Sequence, residues 1–246
     1  MSSVRRRLQQ AASLGRVLPE PGALTAVRTW RPFSVTAFRM LRALRGLGLR
    51  PATVLDGGAN AGQFARAALE TFPEAEVVAI EPLPDLAETL RWNLADCPRA
   101  RIEATALGSA SGSLRFYRTD YSLASSALRP LDATGVTEVE VPVARLDDLV
   151  DADALARPVL FKLDLQGYEL EALRGAEAVL AVTDHVLLEV AFEASYEGEA
   201  TFGALDAFLR ESGFYFERPV DVLRKGGQIV QMDALFRRTP TRPSVR

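Results

Sequence analysis

The sequence predicts an α/β protein built on a doubly wound, mostly parallel sheet, and three observations carry that prediction. Short, nearly unbroken apolar runs such as TVLD (53–56), EVVAI (76–80) and HVLLEVA (185–191) read as strands buried on both faces. Segments with helical apolar spacing lie between them, the alternation of a parallel sheet with crossover helices. The last two strand-like runs, GFYFER (213–218) and QIVQMDALFRR (228–238), have no helix between them, so the sheet closes with an antiparallel terminal strand.

In chain order, residues 1–50 form an N-terminal extension, rich in Arg and Leu and broken by Pro19, Pro21 and Pro32. It is partly helical: apolar spacing predicts a helix over 33–47, ended by Gly46 and Gly48. Residues 51–240 form the main domain. Strands are predicted at 53–56, 76–82, 101–108, 158–165, 185–191, 213–218 and 228–238, seven in all. Helices are predicted at 60–72, 85–94, from 166 onward and at 202–211. SLRFYRT (113–119) and VTEVEVPVARL (136–146) alternate with the period of two expected of a hairpin.

Composition narrows the function classes. At 246 residues and 48% hydrophobic, the chain can bury one large core. A net charge of −3 predicts no nucleic-acid partner. Cys97 is the sole cysteine, which excludes an intramolecular disulfide and predicts a reducing, cytoplasmic location. No apolar run approaches the ~20 residues that span a bilayer. The opening MSSVRRRLQQAASLGRVLPEP is basic but lacks the apolar centre of a signal peptide, and reads as a solvated terminus.

Ligands of an open α/β sheet bind outside the carboxyl ends of its strands. Four predicted strands carry an acid there: Asp56, Glu81, Asp164 and Glu189. Any one alone reads as a cap or an ion-pair partner; four in register predict a site. The first turn, DGGANAG (56–62), is Gly-rich but lacks the G-x-G-x-x-G that receives a pyrophosphate, and Asp56 at its mouth would repel one. A cofactor bearing positive charge suits it, and S-adenosyl-L-methionine, with its sulfonium and ammonium groups, fits. Gly58 and Gly62 permit close backbone approach, and Asn60 caps the helix or binds the cofactor's amino-acid moiety. Glu81 is placed to accept from both ribose hydroxyls.

These stretches resemble the FkbM family of class I methyltransferases. The similarity rests on LDGGANAGQFA (55–65), IEPLPDLAETLRWNL (80–94), ATALGSASGSLRFY (104–117), SLASSAL (122–128), VPVARLDDL (141–149), FKLDLQGYELEALRGA (161–176) and LLEVAFEASYEGEATF (187–202). The resemblance implies a Rossmann-like methyltransferase sheet and S-adenosyl-L-methionine-dependent O-methylation of a hydroxyl on a small molecule, sugar or other glycan, or secondary metabolite. Alternative readings are a nucleotide-dependent oxidoreductase on a similar fold and a non-catalytic cofactor-binding scaffold.

The expected cofactor contacts are Asp56, Gly58, Asn60, Gly62, Glu81, Leu83 beside the adenine, Ala106, Ser125 and Asp164. Asp164 is the preferred general base, since a hydroxyl must lose its proton as it attacks the methyl carbon; orienting the sulfonium or the substrate is its competing role. Lys162 shares a strand face with Asp164, as an ion-pair partner or a substrate anchor. Glu189 is expected to face the acceptor. Asp164 and Glu189 without a third nearby ligand leave a divalent metal open. His185 begins its strand, at the edge away from the cofactor, and is expected to be structural.

Overall fold

The computed structural model describes residues 19–132 and 135–239. The basic opening stretch therefore falls almost wholly outside the described residues. The main sheet has seven strands: β1 (Thr53–Gly57), β2 (Glu76–Ile80), β3 (Ala100–Glu103), β7 (Val159–Leu163), β8 (His185–Ala191), β9 (Phe214–Lys225) and β10 (Gln228–Arg238). Their order is β3-β2-β1-β7-β8-β10-β9. The first five are parallel, and β10 runs antiparallel to both β8 and β9. The predicted doubly wound sheet with its antiparallel last strand is thus the observed one. Strand order reverses between β1 and β7, the place where this architecture opens a crevice.

Strand alternation divides the core between two faces. Leu55, Phe161, Leu163, Leu188 and Phe236 point to one layer, which contains α5 (Leu146–Leu149), α6 (Glu169–Arg174), α7 (Glu177–Val182) and α8 (Phe202–Glu211). Val54, Leu160, Leu187 and Leu235 point to the other, built from α2 (Val35–Gly46), α3 (Gln63–Thr71) and α4 (Pro84–Asn93). The extension joins that second core: Ala37, Met40, Leu41 and Leu44 of α2 pack among its residues. Ser34 starts α2 by accepting from the Ala37 amide at 3.2 Å. A shorter helix, α1 (Ala23–Thr29), lies before it.

Three expectations need correction. Residues 101–108 are not one strand. The chain leaves the main sheet after Glu103, and β4 (Ala106–Leu107) enters a separate three-stranded sheet with β6 (Thr137–Ala144) and β5 (Gly112–Arg118). Thr105 Oγ1 marks the break, donating to the carbonyl of Pro142 on β6 at 3.1 Å. The helical stretch after β7 is two pieces, α6 and α7, separated at Gly175, whose ideal Cβ would lie 2.0 Å from the Gly108 carbonyl. Finally, β9 does not stop at 218 but runs through Pro219 to Lys225, which the sheet tolerates because β9 is its edge strand.

Candidate active site

The loop from β1 to α3 must turn beside the end of β7, and the space there dictates glycine. Gly58 has φ +77°, and a Cβ on it would lie 2.0 Å from the Asp164 carbonyl oxygen. Any side chain would push the loop off β7. The main-chain amides of Gly58 and Ala59 both donate to the Ile80 carbonyl at 3.0 Å, which ties the same turn to β2.

A cleft opens over this turn, with about 610 Å³ of empty space including its open mouth. Gly58, Asn60, Glu81, Leu83, Ala106, Ser125 and Asp164 line it, so seven of the expected cofactor residues converge. Glu81 sits at its base, 5% exposed. Its Oε2 accepts from the Asn60 amide at 2.9 Å and its Oε1 from the Leu83 amide at 3.0 Å. Each oxygen keeps a further acceptor site for a ligand. Burial pushes the Glu81 carboxyl up to about 7, against the pull of those two amides. The apolar wall comes from Leu83, Ala106 and Phe116, which pack with Val141 of the small sheet. Ser125 turns its hydroxyl inward to accept from the Thr119 amide at 3.1 Å.

Asp56 and Gly62 do not line the cleft. Gly62, at φ +92°, precedes α3 where a Cβ would meet Leu90 at 2.7 Å, so its role is helix packing. Asp56 is fully buried behind the turn, in register with Lys162 of β7 and paired with its Nζ at 3.0 Å. Glu81, not Asp56, presents a carboxyl to the cleft, and Asp56 is matched internally by Lys162. Burial opposes the charge on Lys162, yet the facing carboxylates of Asp56, Asp164 and Glu189 outweigh it and hold the proton on. Lys162 Nζ also reaches the carbonyls of Gly57 and Gly58 and lies 5.3 Å from the centre of the Phe64 ring.

Beyond Asp164 lies a second, wider cavity, with about 1180 Å³ of empty space including its open mouth. Its floor follows from register. Lys162, Asp164 and Glu189 occupy alternate positions facing the α2–α3 layer, and Asp233 of β10 stands directly opposite Glu189. Burial raises Glu189 to about 9, reinforced by Asp164, Asp233 and Glu169. Asp233 is likewise raised by burial, to about 7. The opposing wall is α2 with its preceding turn, through Ser34, Thr36, Ala37 and Met40, while Leu223 and Gln231 come from the terminal hairpin. Gly58, Asn60, Leu123, Asp164 and Gln166 border both cavities, so the two meet at Asp164.

Glu169, an acid at the start of α6, supports the site from beneath. Its Oε1 accepts from the Leu165 amide at 2.7 Å and the Gly167 amide at 3.3 Å, fixing the loop after β7. His185 begins β8, opposite Leu160 and Arg237, at the strand end away from both cavities. Phe192, half exposed, packs on Phe202. Sequence reasoning missed Asp233, although a lone acid inside the apolar run QMDALF is the same signal that Asp164 gives. Among the described residues, no group of three or more His, Cys, Asp or Glu side chains is disposed to hold a metal ion. No helix among them is long and apolar enough to cross a membrane.

A family model described as a methyltransferase FkbM domain matches residues 56–216. The chain is 24% identical over 213 residues to the 2-O-methyltransferase NoeI of Sinorhizobium fredii, covering 78% of this chain and 88% of that protein. It is 28% identical over 220 residues to the 31-O-demethyl-FK506 methyltransferase FkbM of Streptomyces tacrolimicus, covering 77% and 83%. A third match, 28% identical over 219 residues, covers 74% of this chain but only 10% of the AMB antimetabolite synthetase AmbE of Pseudomonas aeruginosa.

Proposed function

The chain belongs to the FkbM methyltransferase family, and from that premise we propose that it is an S-adenosyl-L-methionine-dependent O-methyltransferase acting on a hydroxyl of a small molecule or glycan. The observation that carries the reading is the meeting of two cavities at one carboxylate, Asp164. A methyl transfer needs a donor compartment and an acceptor compartment in line, with a proton acceptor where they join.

The residues of the first cleft fit S-adenosyl-L-methionine. Glu81 keeps free acceptor sites for two ribose hydroxyls, Leu83, Ala106 and Phe116 form an apolar wall for a purine, and the cradle at Gly58 admits no side chain. When bound, the cofactor supplies a methyl group activated by its sulfonium. The rest falls to the chain. Asp164 Oδ1 is held by the Gln166 amide at 2.7 Å, which leaves Oδ2 to accept the proton of the acceptor's hydroxyl. Lys162 Nζ lies 3.8 Å from Oδ2, on the same side of the sheet. Glu189 and Asp233 give the second cavity acceptors for a polyhydroxylated molecule, and the relatives named above as O-methyltransferases support oxygen as the atom methylated.

Calorimetry with S-adenosylhomocysteine tests the cofactor, and Asp164→Asn tests the base. The variant keeps the shape and loses the proton acceptor. S-adenosylhomocysteine affinity should stay within a few-fold while turnover falls by ~10²–10⁴. Turnover at the wild-type rate would remove Asp164 from the chemistry, and absence of S-adenosylhomocysteine binding by the wild-type chain would remove the cofactor.

A further inference from the structure

We propose that Gln166 is the positioning residue of the methyl-transfer centre: its side-chain amide spans Asp164 and Glu189 and fixes both acids toward the acceptor. This rests on the methyltransferase reading and deepens it, since Asp164 is that reading's base.

The side-chain amide is oriented with Nε2 toward the two acids and Oε1 toward Tyr196. One end of the Gln166 side chain lies 2.7 Å from Asp164 Oδ1 and 2.9 Å from Glu189 Oε1. That end is Nε2, whose two hydrogens match one oxygen of each acid. The other end, Oε1, meets the Tyr196 hydroxyl at 2.9 Å. Tyr196 is 7% exposed, and its hydroxyl also lies 3.0 Å from the Ala124 carbonyl, so its position does not depend on the glutamine alone.

The backbone is constrained to the same end. Gln166 has φ +55°, in the left-handed region that residues with a Cβ seldom occupy. It is kept there by the Ser126 hydroxyl, which donates to the Gln166 carbonyl at 2.7 Å, and by Glu169, which accepts from the amides on either side, those of Leu165 and Gly167. A conformation of this kind persists where its surroundings over-determine it, and such places cluster at functional sites.

A neutral double donor also suits the chemistry. Leu163 of β7 pairs with Leu188 of β8, so Asp164 and Glu189 are the next positions along adjacent parallel strands, where ionising one acid disfavours ionising the other. A third carboxylate in place of the amide would add to that mutual opposition. The amide bridges both and leaves the charge unchanged.

The test reads Glu189 without needing the acceptor. Glu189 is faced by Asp164, Asp233, Glu169, Lys162 and Tyr196, and of its polar neighbours Gln166 is the one shown donating to it. Side-chain carboxyl ¹³C signals of the full-length chain would be titrated in wild type, Gln166→Leu and Tyr196→Phe, with Glu189→Gln to assign the resonance. Losing the donor disfavours the carboxylate, so the Glu189 midpoint should rise by about one pH unit in Gln166→Leu. A purely structural glutamine would alter melting temperature and leave that midpoint in place. An unmoved midpoint in folded Gln166→Leu overturns the proposal; if that variant does not fold, Tyr196→Phe decides, with a smaller upward shift expected and no shift overturning it. S-adenosylhomocysteine calorimetry on the wild type is scored separately. A chain that binds S-adenosylhomocysteine but shows no shift fails only the positioning role, and one that shows the shift but binds none fails only the methyltransferase reading.

Discussion

Binding of S-adenosylhomocysteine should release a proton from Glu81. The group is buried beneath the cleft, pushed up to about 7, with two main-chain amides already donating to it. Ribose hydroxyls would add two more donors, and hydrogen bonds to a charged acceptor are each worth roughly 1.5–3 kcal/mol. The complex therefore favours the carboxylate, while the free protein is half protonated near pH 7. With that midpoint about one free molecule in eleven is ionised at pH 6 and about ten in eleven at pH 8, so Kd should fall about tenfold between them. Titration calorimetry across pH 6–8, in buffers of different ionisation enthalpy, would report both the affinity and the proton released. Glu81→Gln should bind more weakly throughout and show neither slope nor release. The unliganded protein should follow the opposite sign. A carboxyl raised in the fold from 4.5 to about 7 makes folding less favourable as pH climbs through that window, and Glu81→Gln should show a smaller dependence there by the share of this one group. A flat Kd in the wild type, or the same slope in Glu81→Gln, would refute this placement of the ribose.

Three further outcomes follow from the same geometry. Lys162→Met strands Asp56 as an uncompensated buried acid, and chemical denaturation should show a loss of about 3–5 kcal/mol. Gly58→Ala must bear both the left-handed backbone, at roughly 1–2 kcal/mol, and a methyl group against the Asp164 carbonyl; S-adenosylhomocysteine binding should fail before global folding does. Glu189, raised by burial and its acidic neighbours to about 9, makes the fold lose stability as pH rises from 4.5 to about 9, so Glu189→Gln should reduce the fall of the melting temperature across that range, most clearly between pH 7 and 9.

The four central parallel strands, β1, β2, β7 and β8, were legible because each must be apolar on both faces, and few segments of this chain are. The acids of the site were legible for the converse reason. A lone carboxylate in an apolar run, as in FKLDL or LLEV, is costly to bury unless something meets it at the strand end. What meets it was not legible. Lys162 pairs with Asp56 across 106 positions of sequence, a partnership that exists only once β1 lies beside β7 in the observed register. The break after Glu103 was hidden because Ala104–Leu107 continues the apolar pattern of β3, while the hydrogen bonds that capture it come from β6, more than thirty residues later. Gln166 carried no signal either: its position in sequence gives no hint that one amide would span two acids.

Helix α2 comes from outside the alternating strands and helices, yet Ser34, Thr36 and Met40 wall the wider cavity and touch none of the narrow cleft. Leu223 and Gln231 do the same from the far end of the chain. The parts that would recognise the acceptor are thus separable from the parts that would recognise the donor: two terminal segments can drift toward new molecules while the central strands keep a constant chemistry. Grafting residues 34–40 and the 223–231 hairpin from one member of this family onto another is the natural way to exchange what is methylated without rebuilding how.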